Sequence, residues 1–232
     1  MIKSTYNKHI KYIAKLLQKK YRDEEEKFLI FGDHLIEEAL KNEKEIEIYT
    51  ANDTKDGTLV SMEIMQYLSP TETPFDRVAI VEKSTEKPYT NKVLILDDVQ
   101  DPTNVGALIR SAAGFGFTTV LSSFKTADYY NDKTIRATQG TLFYVNLLRR
   151  DIVAEIKELK KKGYQIITTS PSAKQELRSV QTKNKIALVV GNEGSGISKE
   201  VMALSDMDLY IQTKSIESLN VSVAGAVAMY IL

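Results

Sequence analysis

The stretch IALVVGNEGSGIS at residues 186–198 contains the clearest fold signal in the sequence. Five apolar residues predict a buried strand, and three glycines follow within six residues. Glycine permits positive φ and a close approach of the backbone to a ligand. The glycine spacing matches neither a P-loop nor the dinucleotide-binding fingerprint. The stretch therefore predicts a strand that ends at a ligand-binding loop, with a plain glycine-rich turn as the alternative.

Comparable strand signals recur on both sides of this stretch and alternate with helical patterns. The run VLILDD at 93–98, which ends in two acids, is typical of a buried parallel strand. Further strands are predicted over 118–122, 143–148, 165–169, 186–190 and 209–212, and helices over 104–115, 152–161 and 218–232. This alternation predicts the α/β class with a parallel sheet, in which ligands bind at the carboxyl ends of the strands.

The first third of the chain predicts a smaller α/β unit. Helices are predicted over 7–20, from Asp33 as N-cap to Leu40, and over 58–68, and strands over 28–30, 45–49 and 77–81. The polar segment KSTEKPYTNK at 83–92 has no periodicity and contains a proline, which indicates a linker. We therefore expect two domains, at 1–83 and 92–232.

The composition excludes several kinds of chemistry. The 232 residues include no cysteine and only two histidines, so disulfides, zinc fingers, iron–sulfur clusters and thiol catalysis lack their side chains. We expect no metal site. No apolar segment reaches the ~20 residues of a membrane span, and the charged N-terminus lacks the apolar centre of a secretory signal. We expect a cytoplasmic location and no contact with a membrane.

Charge is distributed unevenly, although basic and acidic residues number 31 each. Residues 1–22 carry seven basic residues and no acidic ones, whereas residues 23–82 carry 16 acidic and five basic residues. Lys11, Lys15 and Lys19 recur every four residues, so that one helix would present them as an exposed basic stripe. Contact with an anion such as nucleic acid and an ordinary solvated helix face both fit this pattern.

Three segments of unusual composition follow predicted strands of the second domain. In DDVQDPTNVGALIRSAAGFG at 97–116, Asn104 is a candidate helix cap and Arg110 lies among small and apolar residues. In the glycine-rich segment at 190–198, Glu193 is unusual for a turn that only connects two elements. In IQTKSIESLNVSVAGA at 211–226, Ser218 resembles an N-cap before a closely packing helix of small residues. Each segment alone also fits a purely structural role.

Together and in this order, the three segments resemble the motifs of the SpoU/TrmH-type RNA ribose 2′-O-methyltransferases in the SPOUT superfamily. The resemblance covers roughly residues 92–232 and rests on NVG at 104–106 with Arg110, GNEGSG at 191–196 and SLNVSVA at 218–224. The N-terminal KKYR at 19–22 and FLIFG at 28–32 look like the small RNA substrate-binding domain that many members carry. The stretch 212–217 departs from the family pattern, because it lacks the usual proline and glycine.

The resemblance implies a fold, a cofactor and an assembly. The family fold is an α/β sheet with a deep trefoil knot in the C-terminal domain, and the knot binds S-adenosylmethionine. The family works as a homodimer, with the knot helices at the interface. The matched positions for the cofactor are Thr169, Ser170, Gly191, Asn192, Glu193, Gly194, Ile211, Thr213, Ser218, Leu219 and Asn220.

The resemblance also implies an activity, the methylation of a ribose 2′-hydroxyl. The matched catalytic positions are Asn104, Arg110, Glu193, Ser218 and Asn220. Because a charged guanidinium has no lone pair, we expect Arg110 to bind RNA phosphate and to stabilise the developing alkoxide rather than to act as a base. RNA contacts are expected at Lys11, Lys15, Lys19, Lys20, Arg22, Arg110 and Arg136.

Structured RNA is the expected substrate. Ribosomal RNA is favoured over transfer RNA, because an N-terminal α/β domain is typical of the ribosomal-RNA members. An antibiotic-resistance methylase and a non-catalytic RNA-binding or ribosome-assembly protein of the same fold stay open as alternatives. Tyr129 and Tyr130, in a polar loop with Arg136, are candidates for stacking on a base, although exposed tyrosines without a role fit equally well.

Overall fold

Two β-sheets organise the chain, one in each half of the sequence. The computed structural model describes residues 1–216 and 218–232, so that Glu217 of the atypical stretch lies outside the described residues. Among the described residues, no helix combines the length and the apolar character needed to cross a bilayer.

The first sheet has four strands in the order β1-β4-β2-β3. The elements of this half are α1 (Lys8–Lys15), α2 (Lys19–Glu25), β1 (Lys27–Phe31), α3 (Asp33–Lys41), β2 (Ile46–Thr50), β3 (Thr58–Leu59), α4 (Met62–Leu68) and β4 (Arg77–Glu82). Strand β4 pairs antiparallel with both β1 and β2, and β3 pairs parallel with β2. The α/β character predicted for this half is confirmed, with a mixed sheet.

The second sheet has seven strands in the order β7-β6-β5-β10-β8-β11-β9, and every pairing is parallel. Its elements are β5 (Lys92–Leu96), α5 (Pro102–Gly114), β6 (Thr119–Ser122), α6 (Asp132–Thr138), β7 (Asn146–Arg149), α7 (Ile152–Lys161), β8 (Gln165–Thr169), β9 (Gln175–Glu176), β10 (Ile186–Val190), α8 (Lys199–Met202), β11 (Met207–Tyr210) and α9 (Val221–Ile231). Short 3₁₀ helices span Thr141–Tyr144 and Leu177–Ser179. The predicted parallel α/β sheet is confirmed, and the trefoil knot stays a prediction.

Strand β10 lies at the centre of the second sheet, and all five of its residues are apolar and buried. It pairs with β5 on one side, where Val190 lies opposite Leu96, and with β8 on the other. Strands buried on both faces are typical of parallel sheets covered by helices. The carboxyl ends of β5, β8 and β10 therefore lie side by side and deliver their following loops to one edge.

The two halves share one hydrophobic core. Phe28 and Ile30 of β1 belong to the same buried cluster as Leu94 of β5 and Leu108 of α5. The Phe28 ring centroid lies 4.7 Å from that of Tyr130. The polar segment 83–92 therefore connects two halves that are packed against each other.

Several predicted boundaries are wrong at the N-terminus. The helix expected over 7–20 ends at Lys15, and α2 begins at Lys19 because Gln18 adopts an extended conformation. Lys19 thus lies on a different helix from Lys11, and the single stripe is wrong. Residues 58–59 form strand β3, so the helix expected from 58 begins only at Met62.

Helix caps and one strand also differ from the sequence-based expectation. Gly32, with φ of 85°, occupies the N-cap of α3, whereas Asp33 pairs with Lys55 and Arg77. Residues 143–144, expected at the start of a strand, belong instead to the 3₁₀ helix Thr141–Tyr144 before β7. The candidate caps Asn104 and Ser218 are both wrong, and their observed roles are described with the site.

Candidate functional site

A cavity of about 570 Å³ opens where the loops after β8, β10 and β11 meet the start of α9. All eleven predicted cofactor positions line it: Thr169, Ser170, Gly191, Asn192, Glu193, Gly194, Ile211, Thr213, Ser218, Leu219 and Asn220. Sequence reasoning missed other lining residues, among them Pro171, Ser195 and Leu209. Loops that are distant in sequence therefore form one site at the predicted edge of the sheet.

The glycine-rich loop after β10 turns sharply. A Cβ at Gly191 would lie 2.4 Å from the carbonyl carbon of Gly196 and from the amide nitrogen of Ile197. Asn192 and Gly196 exchange two backbone hydrogen bonds of 3.0 Å, and Gly196 has φ of 71°. At position 191 only glycine fits without displacing backbone atoms, because the loop approaches itself closely there.

The Asn192 side chain holds this loop at both ends. Its Oδ1 accepts hydrogen bonds from the amides of Gly194 at 2.9 Å and Ser195 at 3.0 Å, and its Nδ2 donates to the carbonyl of Asp98 at 2.9 Å. Asp98 has φ of 58°, a left-handed conformation that aspartate tolerates. Nearby, Asp97 is buried and accepts from the Ser198 amide at 2.7 Å. The two acids that end VLILDD are therefore anchors of the loop, a role that sequence reasoning missed.

Glu193 is fixed by donors from the loop after β5. Its Oε1 accepts from the amide of Asp101 at 3.1 Å and from Asn104 Nδ2 at 3.0 Å, and its Oε2 accepts from the amide of Gln100 at 3.1 Å. Burial by itself would raise the pKa of Glu193, but these hydrogen bonds to the ionised form outweigh it and lower the pKa. The carboxylate therefore stays charged at neutral pH.

A chain of hydrogen bonds joins three of the predicted catalytic side chains. Asn104 Nδ2 donates to Glu193, and Asn220 Nδ2 donates to Asn104 Oδ1 at 3.1 Å. Asn220 also caps α9 by accepting from the Ser222 amide at 2.8 Å, and Asp101 caps α5 by accepting from the Thr103 amide at 2.7 Å. The cap roles expected of Asn104 and Ser218 are therefore wrong, because Asn104 lies inside the helix and α9 begins after Asn220.

Arg110 lies outside this chain of hydrogen bonds. It is six residues beyond Asn104 on α5, which corresponds to about 9 Å of rise and about 240° of rotation. Its side chain is exposed, does not line the cavity and makes no ion pair with the described residues. Ser218 lines the cavity and is exposed. The structure thus brings Glu193, Ser218 and Asn220 to the cavity, places Asn104 behind the wall in contact with Glu193 and Asn220, and leaves Arg110 on the open face of α5.

The predicted RNA-contacting lysines lie on the N-terminal helices beside aromatic rings. Lys11 Nζ is 5.1 Å from the ring centroid of Tyr6, which is 80% exposed. Lys15 and Lys20 lie 5.3 Å and 5.6 Å from the ring of Tyr21. Lys19 and Lys20 also pair with Asp23 and Glu24 of the following turn, and Arg136 pairs with Asp132 at 2.8 Å. Of these four lysines, Lys11 and Lys15 on α1 make no ion pair with the described residues.

Three expectations about exposed RNA-binding side chains are wrong. Arg22 is 5% exposed and forms an ion pair with Asp128 at 2.7 Å, so it does not face solvent. Tyr129 is 3% exposed and donates to the carbonyl of Leu148 at 3.1 Å, and Tyr130 packs on Phe28. Tyr129 is therefore buried in the core and cannot stack on a base, and Tyr130 is half-buried with its ring packed on Phe28.

A parallel α/β sheet with a cavity between a tight glycine loop and a small-residue helix is typical of α/β proteins that bind a ligand at the carboxyl ends of their strands. Residues 91–230 match the model of the SpoU rRNA Methylase family. Residues 7–79 match that of the MRM3-like substrate binding domain.

Individual relatives cover almost the whole chain. The 23S rRNA (guanosine(2553)-2′-O)-methyltransferase RlmP of Bacillus subtilis is 36% identical over 99% of this chain and 97% of its own length. A solved putative RNA methyltransferase of the TrmH family from Porphyromonas gingivalis is 28% identical, covers 96% of each chain and has a TM-score of 0.84. An AdoMet-bound rRNA methyltransferase from Sinorhizobium meliloti, at 24% identity and a TM-score of 0.86 over 99% of this chain and 95% of its own, shares the fold.

The chain therefore belongs to the SpoU rRNA methylase family. The family inferred from the motifs is confirmed, and with it the enzyme class, an RNA methyltransferase that uses S-adenosylmethionine.

Proposed function

We propose that this chain methylates a ribose 2′-hydroxyl of ribosomal RNA. The observation that carries the proposal is the hydrogen-bonded chain from Glu193 through Asn104 to Asn220, whose two end residues line the cavity. These three residues come from separate motifs and meet only in the folded chain. Similarity to the ribosomal-RNA enzyme of B. subtilis over nearly the full length supports ribosomal rather than transfer RNA.

The cavity fits S-adenosylmethionine in size and in the chemistry of its walls. Its volume of about 570 Å³ lies within the range of ordinary ligand pockets. The close turn at Gly191 leaves the backbone of the loop accessible for reading an adenine edge, and Leu209 and Ile211 supply apolar wall. Bound there, S-adenosylmethionine supplies a methyl group for transfer to the ribose oxygen.

The residues of the chain have to place the ribose hydroxyl and help it to lose its proton, because a sugar hydroxyl is a poor nucleophile at neutral pH. Glu193 is already engaged with three donors, so we assign it to holding the loops together. Arg110 is exposed on the same helix as Asn104 but does not line the cavity, so we assign it to binding an RNA phosphate beside the target ribose.

We infer that residues 1–83 capture RNA and residues 92–232 catalyse. Lys11, Lys15, Lys19 and Lys20 provide the positive charge of the first unit, and Arg136 with Arg110 provides charge on the second. Exposed Tyr6 and half-buried Tyr21, beside these lysines, add surfaces on which an unpaired base can stack. The match of residues 7–79 to a substrate-binding domain supports this division.

We also propose a homodimer that buries the outer face of α9. Val223, Tyr230 and Ile231 are 47%, 76% and 37% exposed, and Phe115 of the neighbouring turn packs edge-on against Tyr230. An apolar helix face open to water is typical of a protein interface. Because ribosomal RNA is the proposed substrate, we place the protein in the cytoplasm.

The test uses RNA from cells that lack this protein, the purified protein and methyl-labelled S-adenosylmethionine. Label in a 2′-O-methylated nucleoside of large-subunit ribosomal RNA is expected. Arg110→Ala should lower that rate at least 100-fold and leave cofactor affinity unchanged, whereas Lys157→Ala, an exposed cation of α7, should change neither. Label only in transfer RNA would overturn the substrate. Cofactor binding without label in free or ribosome-assembled RNA would favour a non-catalytic RNA-binding protein.

A further inference from the structure

A buried ion pair joins the N-terminal helices to the methyltransferase half. Arg22 Nη2 donates to Asp128 Oδ2 at 2.7 Å, and the two side chains are only 7% and 14% exposed. Exposed ion pairs contribute little to stability, whereas loss of one partner from a buried pair leaves an uncompensated charge. This pair therefore differs in kind from the surface pairs on α7 or at the end of α3.

On the N-terminal side, the same guanidinium fixes both helices that carry the RNA-capturing lysines. Arg22 belongs to α2, and its Nη1 donates to the carbonyls of Leu16 at 2.9 Å and Leu17 at 2.7 Å, just after the end of α1. Arginine suits this position because its planar fork makes several directed hydrogen bonds at once. One side chain therefore contacts the end of α1, α2 and Asp128 at the same time.

On the catalytic side, the contacts continue from Asp128 to the helix that carries Arg110. The carbonyl of Asp128 accepts from Thr134 Oγ1 of α6 at 2.9 Å. Helix α6 packs tightly on α5, since a Cβ at Gly106 would lie 2.5 Å from the Thr134 carbonyl oxygen. Buried contacts therefore run without interruption from the end of α1 through Arg22, Asp128 and α6 to α5.

We propose that Arg22 and Asp128 are positioning residues, which hold the RNA-capturing helices at a fixed distance from Arg110 so that captured RNA presents its target ribose to the cofactor cavity. The inference rests on the proposed function. Neither residue touches RNA, so both act through the orientation of the two halves. A displacement of about 1 Å at a reacting centre costs up to ~100-fold in rate.

The first test separates positioning from capture. In Asp128→Asn and Arg22→Met, affinities for S-adenosylmethionine and for substrate RNA should stay within about threefold of wild type. The single-turnover methylation rate at saturating RNA should fall at least tenfold, and Arg22→Lys, which keeps the charge, should recover part of it. Glu158→Gln, which breaks a surface ion pair on α7, should have no effect. An unchanged saturating rate in the first two variants, with only a lower melting temperature, would overturn the inference.

The second test does not depend on activity. Because the chain has no cysteine, labels can be placed at Lys8→Cys on α1 and Lys157→Cys on α7, both exposed, without removing native thiols. Electron-spin distance measurements should give a narrow distribution in the wild-type background and a broader or shifted one with Asp128→Asn. A narrow, unshifted distribution in that variant would contradict positioning by this pair. Failure of wild-type protein to methylate any RNA would instead overturn the proposed function, and the inference with it.

Discussion

At the scale of single residues, Glu193 accepts three hydrogen bonds although it belongs to a solvent-exposed loop. Two of the donors are backbone amides that precede α5, and the third is Asn104 within it. The loop after β10 is therefore tied to the loop after β5 by one carboxylate. These hydrogen bonds to the ionised carboxylate lower the pKa of Glu193.

Glu193→Gln should lower the free energy of unfolding at pH 7 by about 1 kcal/mol, because the new amide nitrogen faces a backbone donor. Since the pKa in the folded protein lies below the ordinary value of 4.5, the ionised carboxylate stabilises the fold above that pH. This stabilisation is lost as pH falls through the folded-state pKa. The difference between wild type and variant, measured by urea unfolding at pH 7, 5 and 3.5, should therefore shrink at the lowest pH.

Glu200→Gln serves as the control, because Glu200 is exposed on α8 and makes no ion pair with the described residues. It should leave the unfolding free energy nearly unchanged over the same pH range. A difference for Glu193→Gln that is independent of pH would contradict the assigned charge of Glu193.

At the scale of elements, α5 is the helix on which the site depends most. It contributes Asn104, exposes Arg110, and packs on α6 and α9 through positions without room for a side chain. A Cβ at Gly106 would meet the Ala137 Cβ and a backbone carbonyl oxygen at 2.5 Å, whereas a Cβ at Gly225 of α9 would meet only the end of Leu108 at 2.4 Å. An added side chain is therefore harder to accommodate at the contact of α5 with α6 than at its contact with α9.

Gly106→Ala should destabilise the protein by about 1–3 kcal/mol, because α5 and α6 must separate to admit the methyl group. Gly114→Ala, at the end of the same helix, is the matched control: nothing lies within 4 Å of the added Cβ. It should be neutral or stabilise by up to about 1 kcal/mol, through the helix propensity of alanine. Thermal unfolding of both variants checks the prediction, and equal effects would show that close packing at Gly106 is not what matters.

At the scale of the whole molecule, charge and apolar surface are separated. The cations of the N-terminal helices lie on one half, and the exposed apolar face of α9 lies on the other. Electrostatic attraction of RNA and burial of apolar area between subunits can therefore be tested independently.

Lys11→Gln combined with Lys15→Gln should weaken RNA binding and reduce the slope of log affinity against log salt by about 2, because each lysine that neutralises a phosphate contributes about one unit. The measurement is filter binding of ribosomal RNA over a salt series. Lys157→Gln combined with Lys161→Gln removes the same charge from α7 and should leave the slope unchanged. Equal slopes in all three proteins would exclude α1 from the RNA contact.

Val223→Asp should convert the dimer to monomers at micromolar concentration, since it places a charge in the proposed apolar interface. Sedimentation velocity measures the change. Phe124→Asp alters an apolar side chain that is 68% exposed in the turn after β6 and should preserve the dimer. A wild-type protein that sediments as a monomer would contradict the proposed interface.

Much of the second half follows from local sequence patterns. The strand IALVV and the glycine-rich loop after it are predictable, because apolar period and glycine content report local backbone sterics. The positions that line the cavity were implied by the resemblance of the motifs to a known family. The helix boundaries within the first 25 residues could not be predicted in this way. Their helical periodicity is continuous, and the break at residues 16–18 coincides with carbonyls that Arg22 binds from the next helix.

The sequence by itself determined the family and eleven of the residues that line the cavity, since these depend on short motifs. Only the tertiary structure decided that Arg22 pairs with Asp128, that Tyr129 is buried while Tyr130 packs on Phe28, and that Asp98 anchors Asn192. In each case the contact or the burial involves residues from separate elements of the chain. The partner of a polar side chain depends on which distant segment of the chain packs beside it, and no local sequence pattern encodes that packing.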